Sequence, residues 1–336
     1  MKKFVLVIVL LAGAFALYVA LSPPGRNKVV DQDDRDGPSP PPVTTLIGKL
    51  RADWDSEGFA DWPVAEVMAE ASQISYLPPV EAKERFREAG FDSVEAFVDG
   101  SMIGYVVSVE DACVIAFRGT DDVGDWIANL DRRAVRTPHG EVHRGFHDSY
   151  QRLKSQITSI IESEQPEQLW ITGHSLGGAL AVVCAYDLAA NEDKEINGLV
   201  TFGQPMVVRS EMADHLDDVL LGKFAHYVHA MDLVPRIPPS FQHCGSMVWF
   251  TGNGVKRSEP KRPMFGAPAG SEATDVSELP LLSDEEFEQL QADINQGNMP
   301  ETLPDGTPLL QGNSPFIRDH GMEFYIEKVK ATLTGN

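Results

Sequence analysis

Cysteine is scarce in this chain of 336 residues: Cys113, Cys184 and Cys244 are the only three. An odd number with no metal-site spacing excludes both a paired disulfide framework and a zinc ribbon. Cys113 falls in an expected strand and Cys184 in an expected helix, so both read as small core residues. Basic residues are also few, 28 against 50 acidic, for a net charge of -22. A chain this acidic repels nucleic acid and anionic headgroups, so neither is an expected partner through electrostatics, and solubility explains the excess. Internal repeats are missing, which excludes a solenoid or propeller. Long apolar runs are missing too, with one exception at the N-terminus. Nothing in the composition bears on oligomeric state.

That exception follows Met1-Lys2-Lys3 and runs uncharged from Phe4 to Leu21. Eighteen apolar or small residues behind two lysines read as an export signal over 1–21. Ala14-Phe-Ala16 offers a small-x-small cleavage site inside the run, Ala20-Leu-Ser22 is followed at once by two prolines, and no cysteine follows for lipid attachment. The length sits at the lower edge of a spanning helix, which favours a retained membrane anchor over a cleaved signal. Residues 22–45, with Pro23-Pro24, Asp31 to Asp36 and Pro38-Ser-Pro-Pro-Pro42, carry too little apolar surface to fold and read as an extended linker. The remainder, 46–336, suits one large α/β domain.

Within that domain the most informative stretch is Gln168-Leu-Trp-Ile-Thr-Gly173-His174-Ser175-Leu176-Gly177-Gly178. A short apolar strand stops at a glycine, presents one serine, and continues into a small-residue helix expected over Leu176 to Ala190. This is the strand–elbow–helix setting that G-x-S-x-G requires. Ser175 is the candidate nucleophile, and the helix behind it directs free N–H groups and a positive end at the same point. His174, adjacent to the serine, reads as a packing or orienting group, since neighbouring side chains in an elbow diverge.

Upstream, helices are expected over Val64 to Tyr76 and Val80 to Ala89, then strands at Glu95 to Val98, Ile103 to Val109 and Ala112 to Phe117. The last strand ends in Phe117-Arg118-Gly119-Thr120. An oxyanion hole needs donors from a second loop besides the one after the nucleophile. Thr120 and the Leu176 N–H are the candidates, against an ordinary β-turn as the alternative. Histidines 139, 143 and 147 recur every four residues, as a helical metal site would require, but Pro138, Gly140 and Gly145 break any such helix, so no metal is expected. Further helices are expected over Phe146 to Glu162, Ser283 to Ile294 with a Ser283/Glu286 capping box, and Phe324 to Leu333. Strands are expected at Gly198 to Gly203 and Phe224 to Ala230.

Six ordered blocks now stand out: Phe117-Arg-Gly-Thr120, Asp125-Trp-Ile-Ala-Asn-Leu130, Val142-His-Arg-Gly-Phe146, Gly173-His-Ser-Leu-Gly177, Phe202-Gly-Gln-Pro205 and Asp232-Leu-Val-Pro-Arg-Ile-Pro238. Together they make the chain resemble the class 3 lipases, over roughly residues 60 to 330. The resemblance implies an α/β-hydrolase fold, a mostly parallel central sheet with helices on both faces. It also implies a Ser–Asp–His triad, no cofactor, and an ester substrate that is often a lipid.

On that basis Asp232, at the end of a strand, becomes the orienting acid. His320, in the loop before the last helix, becomes the base, with His229 and His243 as rivals too close to Asp232 in sequence. The family's mobile lid maps onto Asp121 to Asp131, which is acidic around Trp126 and Ile127. If it moves, Trp126 is the substrate-contacting residue; a fixed polar turn is the alternative. The chain departs from the family at Met206 and Val208, where a basic residue and a glycine are usual, and in an aromatic, Tyr325, that comes later than usual after the histidine. An acidic insertion is expected over 252–315. The expected activity is that of a serine ester hydrolase, with an acyltransferase or a tethered non-catalytic binding module as alternatives.

Overall fold

The computed structural model of the chain describes residues 62–192, 194–258, 279–297 and 319–335. The expected export segment 1–21, the linker 22–45 and most of the acidic stretch 252–315 lie outside the described residues. Contacts divide the chain into Met1–Pro41 and Pro42–Asn336, and every described residue belongs to the second unit. Among the described residues no helix is long and apolar enough to cross a membrane.

Two helices open the described chain, α1 (Trp62–Ile74) and α2 (Pro79–Glu88), followed by strands β1 (Ser93–Asp99), β2 (Met102–Val109) and β3 (Ala112–Phe117). A short helix α3 (Val123–Asn129) leads to the hairpin β4 (Ala134–Thr137) and β5 (Gly140–His143), then to the long helix α4 (Arg144–Glu164). Strand β6 (Gln168–His174), helix α5 (Leu176–Tyr186), strand β7 (Gly198–Phe202), helix α6 (Ser210–Val219) and strand β8 (Phe224–His229) alternate through the centre. Strands β9 (Ser246–Thr251) and β10 (Gly254–Ser258) and helices α7 (Asp284–Asn295) and α8 (Met322–Thr334) complete it.

The main sheet has the order β1-β2-β3-β6-β7-β8-β9-β10. Strands β3, β6, β7, β8 and β9 pair in parallel, while β1, β2 and β10 pair antiparallel at the edges. Parallel strands are covered on both faces and so read as unbroken apolar runs, and β3 is buried along its whole length. Cys113, Ile115 and Phe117 face a core shared with α4, α5 and α6. Val114 and Ala116 face the opposite core, shared with α1, α2 and α8. This is the α/β-hydrolase architecture. All three cysteines are free and buried.

Helix α5 is buried from Gly177 to Tyr186 with no polar face, which only a helix enclosed on all sides tolerates. Its expected extension to Ala190 does not hold: the α-helix ends at Tyr186 and Asp187–Asn191 form a wider π turn. There the buried Asp187 carboxylate accepts from Tyr150 Oη at 2.8 Å and Lys154 Nζ at 3.0 Å. Other helix ends shift by one or two residues, as frayed ends do, and α8 starts at Met322 rather than Phe324.

One boundary needs correction. The stretch 252–315 is not all insertion, because Gly254–Ser258 pair with β9 as the edge strand of the main sheet. Thr251-Gly-Asn-Gly254 is a hairpin turn signal; β9 is apolar and buried along most of its length, but β10 has no buried residue and so lacks the apolar alternation that marks a strand. The hairpin β4–β5 escaped notice for the same reason. Helix α7 starts as expected, with Ser283 and Glu286 forming a reciprocal capping box.

Candidate active site

The C-terminal ends of parallel strands are where α/β folds place their chemistry, and β6, β7 and β8 end together. One residue, Ser175, separates β6 from α5. Its backbone sits at φ 58 and ψ -129, a strained conformation for a residue with a Cβ, costing on the order of 1–3 kcal/mol. The Ser175 N–H donates to Phe202 O at 3.0 Å, and its carbonyl accepts from Gly178 N at 2.9 Å. A Cβ on Gly173 would meet Gly177 O at 2.3 Å, and a Cβ on Gly177 would meet Phe117 O at 2.3 Å. The glycines therefore let the helix close onto the strand and the elbow onto the end of β3.

Asp232 follows β8 and is fully buried. Its carboxylate accepts from His320 Nδ1 at 2.8 and 3.0 Å, from Tyr325 Oη at 2.5 Å and from Val234 N at 2.9 Å. Burial and the adjacent carboxylate push the Tyr325 hydroxyl well above its usual pKa, so it stays a donor. With Nδ1 carrying its proton toward Asp232, His320 presents the bare lone pair of Nε2. Neither that nitrogen nor Ser175 Oγ has a hydrogen-bond partner among the described residues, although both are buried.

Strand β6 and the base loop are joined through His174. Its Nε2 donates to the His320 carbonyl at 2.7 Å, its Nδ1 accepts from Tyr76 Oη at 2.7 Å, and its ring lies 4.4 Å from that of His320. Tyr76 in turn accepts the Gly119 N–H. A Cβ on Gly119 would stand 2.7 Å from His174 O, so the loop carrying Thr120 lies directly against the elbow. Thr120 Oγ1 accepts from Asp122 N at 3.3 Å. Leu176 opens α5, where an N–H has no partner within the helix. Gly203, at φ +54, passes so close that a Cβ there would be 2.8 Å from Asp232 Oδ2 and 2.9 Å from His320 Nδ1.

A family model described as lipase (class 3) matches residues 114–242. Over that stretch the chain is similar to the class 3 lipases. A lipase of Rhizomucor miehei is 32% identical over 157 residues, 43% of this chain and 43% of that one. A secreted mono- and diacylglycerol lipase of Malassezia restricta is 29% identical over 170 residues, 48% of this chain and 54% of its own. The chain thus spans about half the length of the curated relatives it matches. Among solved structures, Rhizomucor miehei triacylglyceride lipase superposes with a TM-score of 0.50 at 25% identity, over 61% of this chain and 86% of that one. Lipase II from Rhizopus niveus gives 0.50 at 24%, over 59% and 83%.

In this chain the rival histidines are engaged elsewhere. His229 Nδ1 donates to Asp319 O at 3.1 Å. His243 Nε2 donates to Pro235 O at 2.7 Å, and its ring stacks on His226 at 4.3 Å. Histidines 139, 143 and 147 diverge, toward Tyr186, the Asp131 carbonyl and Asp148. Trp126 is half-buried and stacks on Phe146 at 6.3 Å. Met206 and Val208, the departures from the family pattern, are both buried; Met206 N donates to Ile237 O, and Val208 bridges Val142 to Gln242.

Three residues beside the candidate site gave no sequence signal: Tyr76 as a support for His174, Gly203 as the close approach, and His229 as a tether of the base loop. For Tyr325 its late position after His320 was the one available clue.

Burial lowers the pKa of His174 and His226 well below 6.5, with further lowering from His320 and His243 respectively, and takes His243 to about 4. All three are neutral in the fold, yet take up protons near 6.5 once unfolded. Stability is therefore full above that pH and lost progressively as pH falls toward 4, by roughly 3 kcal/mol for His243 alone. Urea midpoints measured from pH 7 to pH 4 should fall through this window and should fall less in a His243→Gln chain.

Proposed function

We propose that this chain is a serine ester hydrolase acting on acyl lipids. The observation that carries the reading is the bare Nε2 of a histidine whose Nδ1 is held by a buried carboxylate, on a loop tied to the residue next to a strained serine. In this reading Ser175 Oγ attacks the ester carbonyl while His320 Nε2 takes its proton, and Asp232 stabilises the resulting imidazolium. His320 then returns the proton to the leaving alcohol, and water activated by the same nitrogen releases the acid from Ser175. Negative charge on the carbonyl oxygen is met by the Leu176 N–H and by Thr120. Thr120→Val should lower kcat roughly 10²-fold with KM little changed; a change confined to KM would assign Thr120 to ground-state binding.

The export reading of 1–21 and its retention as an anchor belong to the same proposal, as does a single catalytic domain over 46–336. A fluorophosphonate probe tests both parts in one experiment. It should label the intact protein and not Ser175→Ala, and the labelled band should appear in the membrane fraction at full length. Absence of labelling would favour a binding module, and a shortened band in the medium would make 1–21 a cleaved signal. Release of free acid rather than transfer to added glycerol separates hydrolysis from acyl transfer.

A further inference from the structure

The turn of the β4–β5 hairpin, Pro138-His139 between the paired Thr137 and Gly140, lands on α6. Gly140 sits at φ +134, and a Cβ there would stand 2.5 Å from Met212 N, so the turn backbone touches the first turn of the helix. Three rings from three elements complete the contact. His139 of the turn stacks on His215 of α6, with centroids 4.0 Å apart and planes 3° from parallel. Tyr186, the last residue of α5, meets both rings edge-on at 5.9 and 6.2 Å, and its hydroxyl lies 3.2 Å from His139 Nδ1.

Such a pair does not make a metal site. In parallel rings the nitrogen lone pairs lie in parallel planes and cannot converge on one ion, and among the described residues no three acidic, histidine or cysteine side chains gather for a metal. Charge is what the stack opposes. Two imidazolium rings at 4.0 Å repel as like charges. His215 Nε2 is shielded and has no partner among the described residues, so a proton there would bury an unpaired N–H.

The surroundings do little to offset this. Burial first and the His139 charge second hold the His215 pKa below 6.5, against an opposite pull from Asp218. Arg136 of β4 pairs with Glu211 of α6 at 2.7 Å, and Glu141 of β5 pairs with Arg209 at 2.9 Å. Both ion pairs are partly exposed and hold the hairpin weakly. On the side of Tyr186, His147 of α4, beside Asp148, and Asp187, held by Tyr150 and Lys154, border a cavity of about 220 Å³ that Pro138 also lines. His143, at the far end of β5, lies against Phe146 and Phe241.

We propose that His139 and His215 form a proton-operated latch: neutral, they stack and fasten the hairpin turn to α6; protonated, they part and the turn lifts from the helix. Because the fold disfavours the charged state, the latch is closed above a pH of about 6.5 and loosens as pH falls below it. A two-stranded hairpin released from its support is marginal in water, so its own ladder then opens.

Hydrogen exchange on the full chain at pH 7 and pH 5, corrected for the intrinsic rate at each, tests the latch. From the higher to the lower pH, protection of the β4 and β5 amides should fall about tenfold more than that of β6 and β7, which report global opening. His215→Phe keeps a flat ring on His139 and removes one charge, and there the extra loss should vanish. Should His215→Phe fail to fold, His139→Gln removes the other charge from an exposed turn, and hairpin protection relative to β6 and β7 should be the same at both pH values. The imidazole resonances of the unsubstituted chain should titrate in two separated steps, and the His215 step should move up in His139→Gln. An extra loss that persists in His215→Phe would assign the acid response to His143 or to the ion pairs and end the proposal. Equal relative protection at both pH values in the unsubstituted chain would end it as well.

Discussion

Ser175→Ala and His320→Ala should each lower kcat by roughly 10⁴- to 10⁶-fold, and the double variant should be little worse than either, because the members of a triad act as one unit. Neither change should unfold the protein. Alanine fills the Ser175 position with one atom fewer at the same backbone strain, and His320 lies in a loop whose carbonyls, not its ring, are gripped by His174 and His229. The comparison that matters is with His229→Ala and His243→Ala. Both rings are occupied by backbone carbonyls and neither contacts Asp232, so their loss should reduce stability before it reduces turnover. Full turnover in His320→Ala alongside a dead His229→Ala or His243→Ala, measured on p-nitrophenyl esters, would reverse the assignment of the base.

Asp232→Asn is expected to cost about 10⁴-fold in kcat with the fold intact. An amide N–H₂ toward Nδ1 drives the imidazole proton onto Nε2, and a ring protonated there cannot accept a proton from Ser175. Val234 still donates to the oxygen at the Oδ1 position, and the Tyr325 hydroxyl beside the Oδ2 position can turn to accept from the amide, so the pocket stays filled. Gly203→Ala is the contrasting case. Its new methyl would press on both Asp232 and His320 and would hold φ at +54, a conformation that costs alanine about 1 kcal/mol or more. It should lower both the melting temperature and kcat, whereas Asp232→Asn should lower chiefly kcat. Wild-type turnover in Asp232→Asn at neutral pH would end the triad reading.

How much was legible follows from how far apart the interacting residues are. The elbow is local: strand, glycine, serine, glycine and helix fall within one short stretch, so Ser175 and its backbone were readable directly. Asp232 could be placed at a strand end, and His320 by its position before the final helix. The supports were not readable, because Tyr76 meets His174 across 98 positions and Tyr325 meets Asp232 across 93. Contacts of that separation leave no periodicity behind. The edge hairpins failed for another reason: β10 has no buried residue, and a strand without a buried face carries little of the apolar alternation by which strands are recognised.

The first and last described helices, α1 and α8, pack against each other and are tied by Lys330 and Glu70 at 2.6 Å. The folded domain is therefore nearly a closed loop of chain, and the sequence order of nucleophile, acid and base depends only on where that loop is open. A circular permutant joined across these helices and cut in the β9–β10 turn at Gly252 would be translated with His320 first, Ser175 second and Asp232 last. It would present the same three side chains at the same edge of the sheet, so the order of the residues along the chain and the geometry they form are separable.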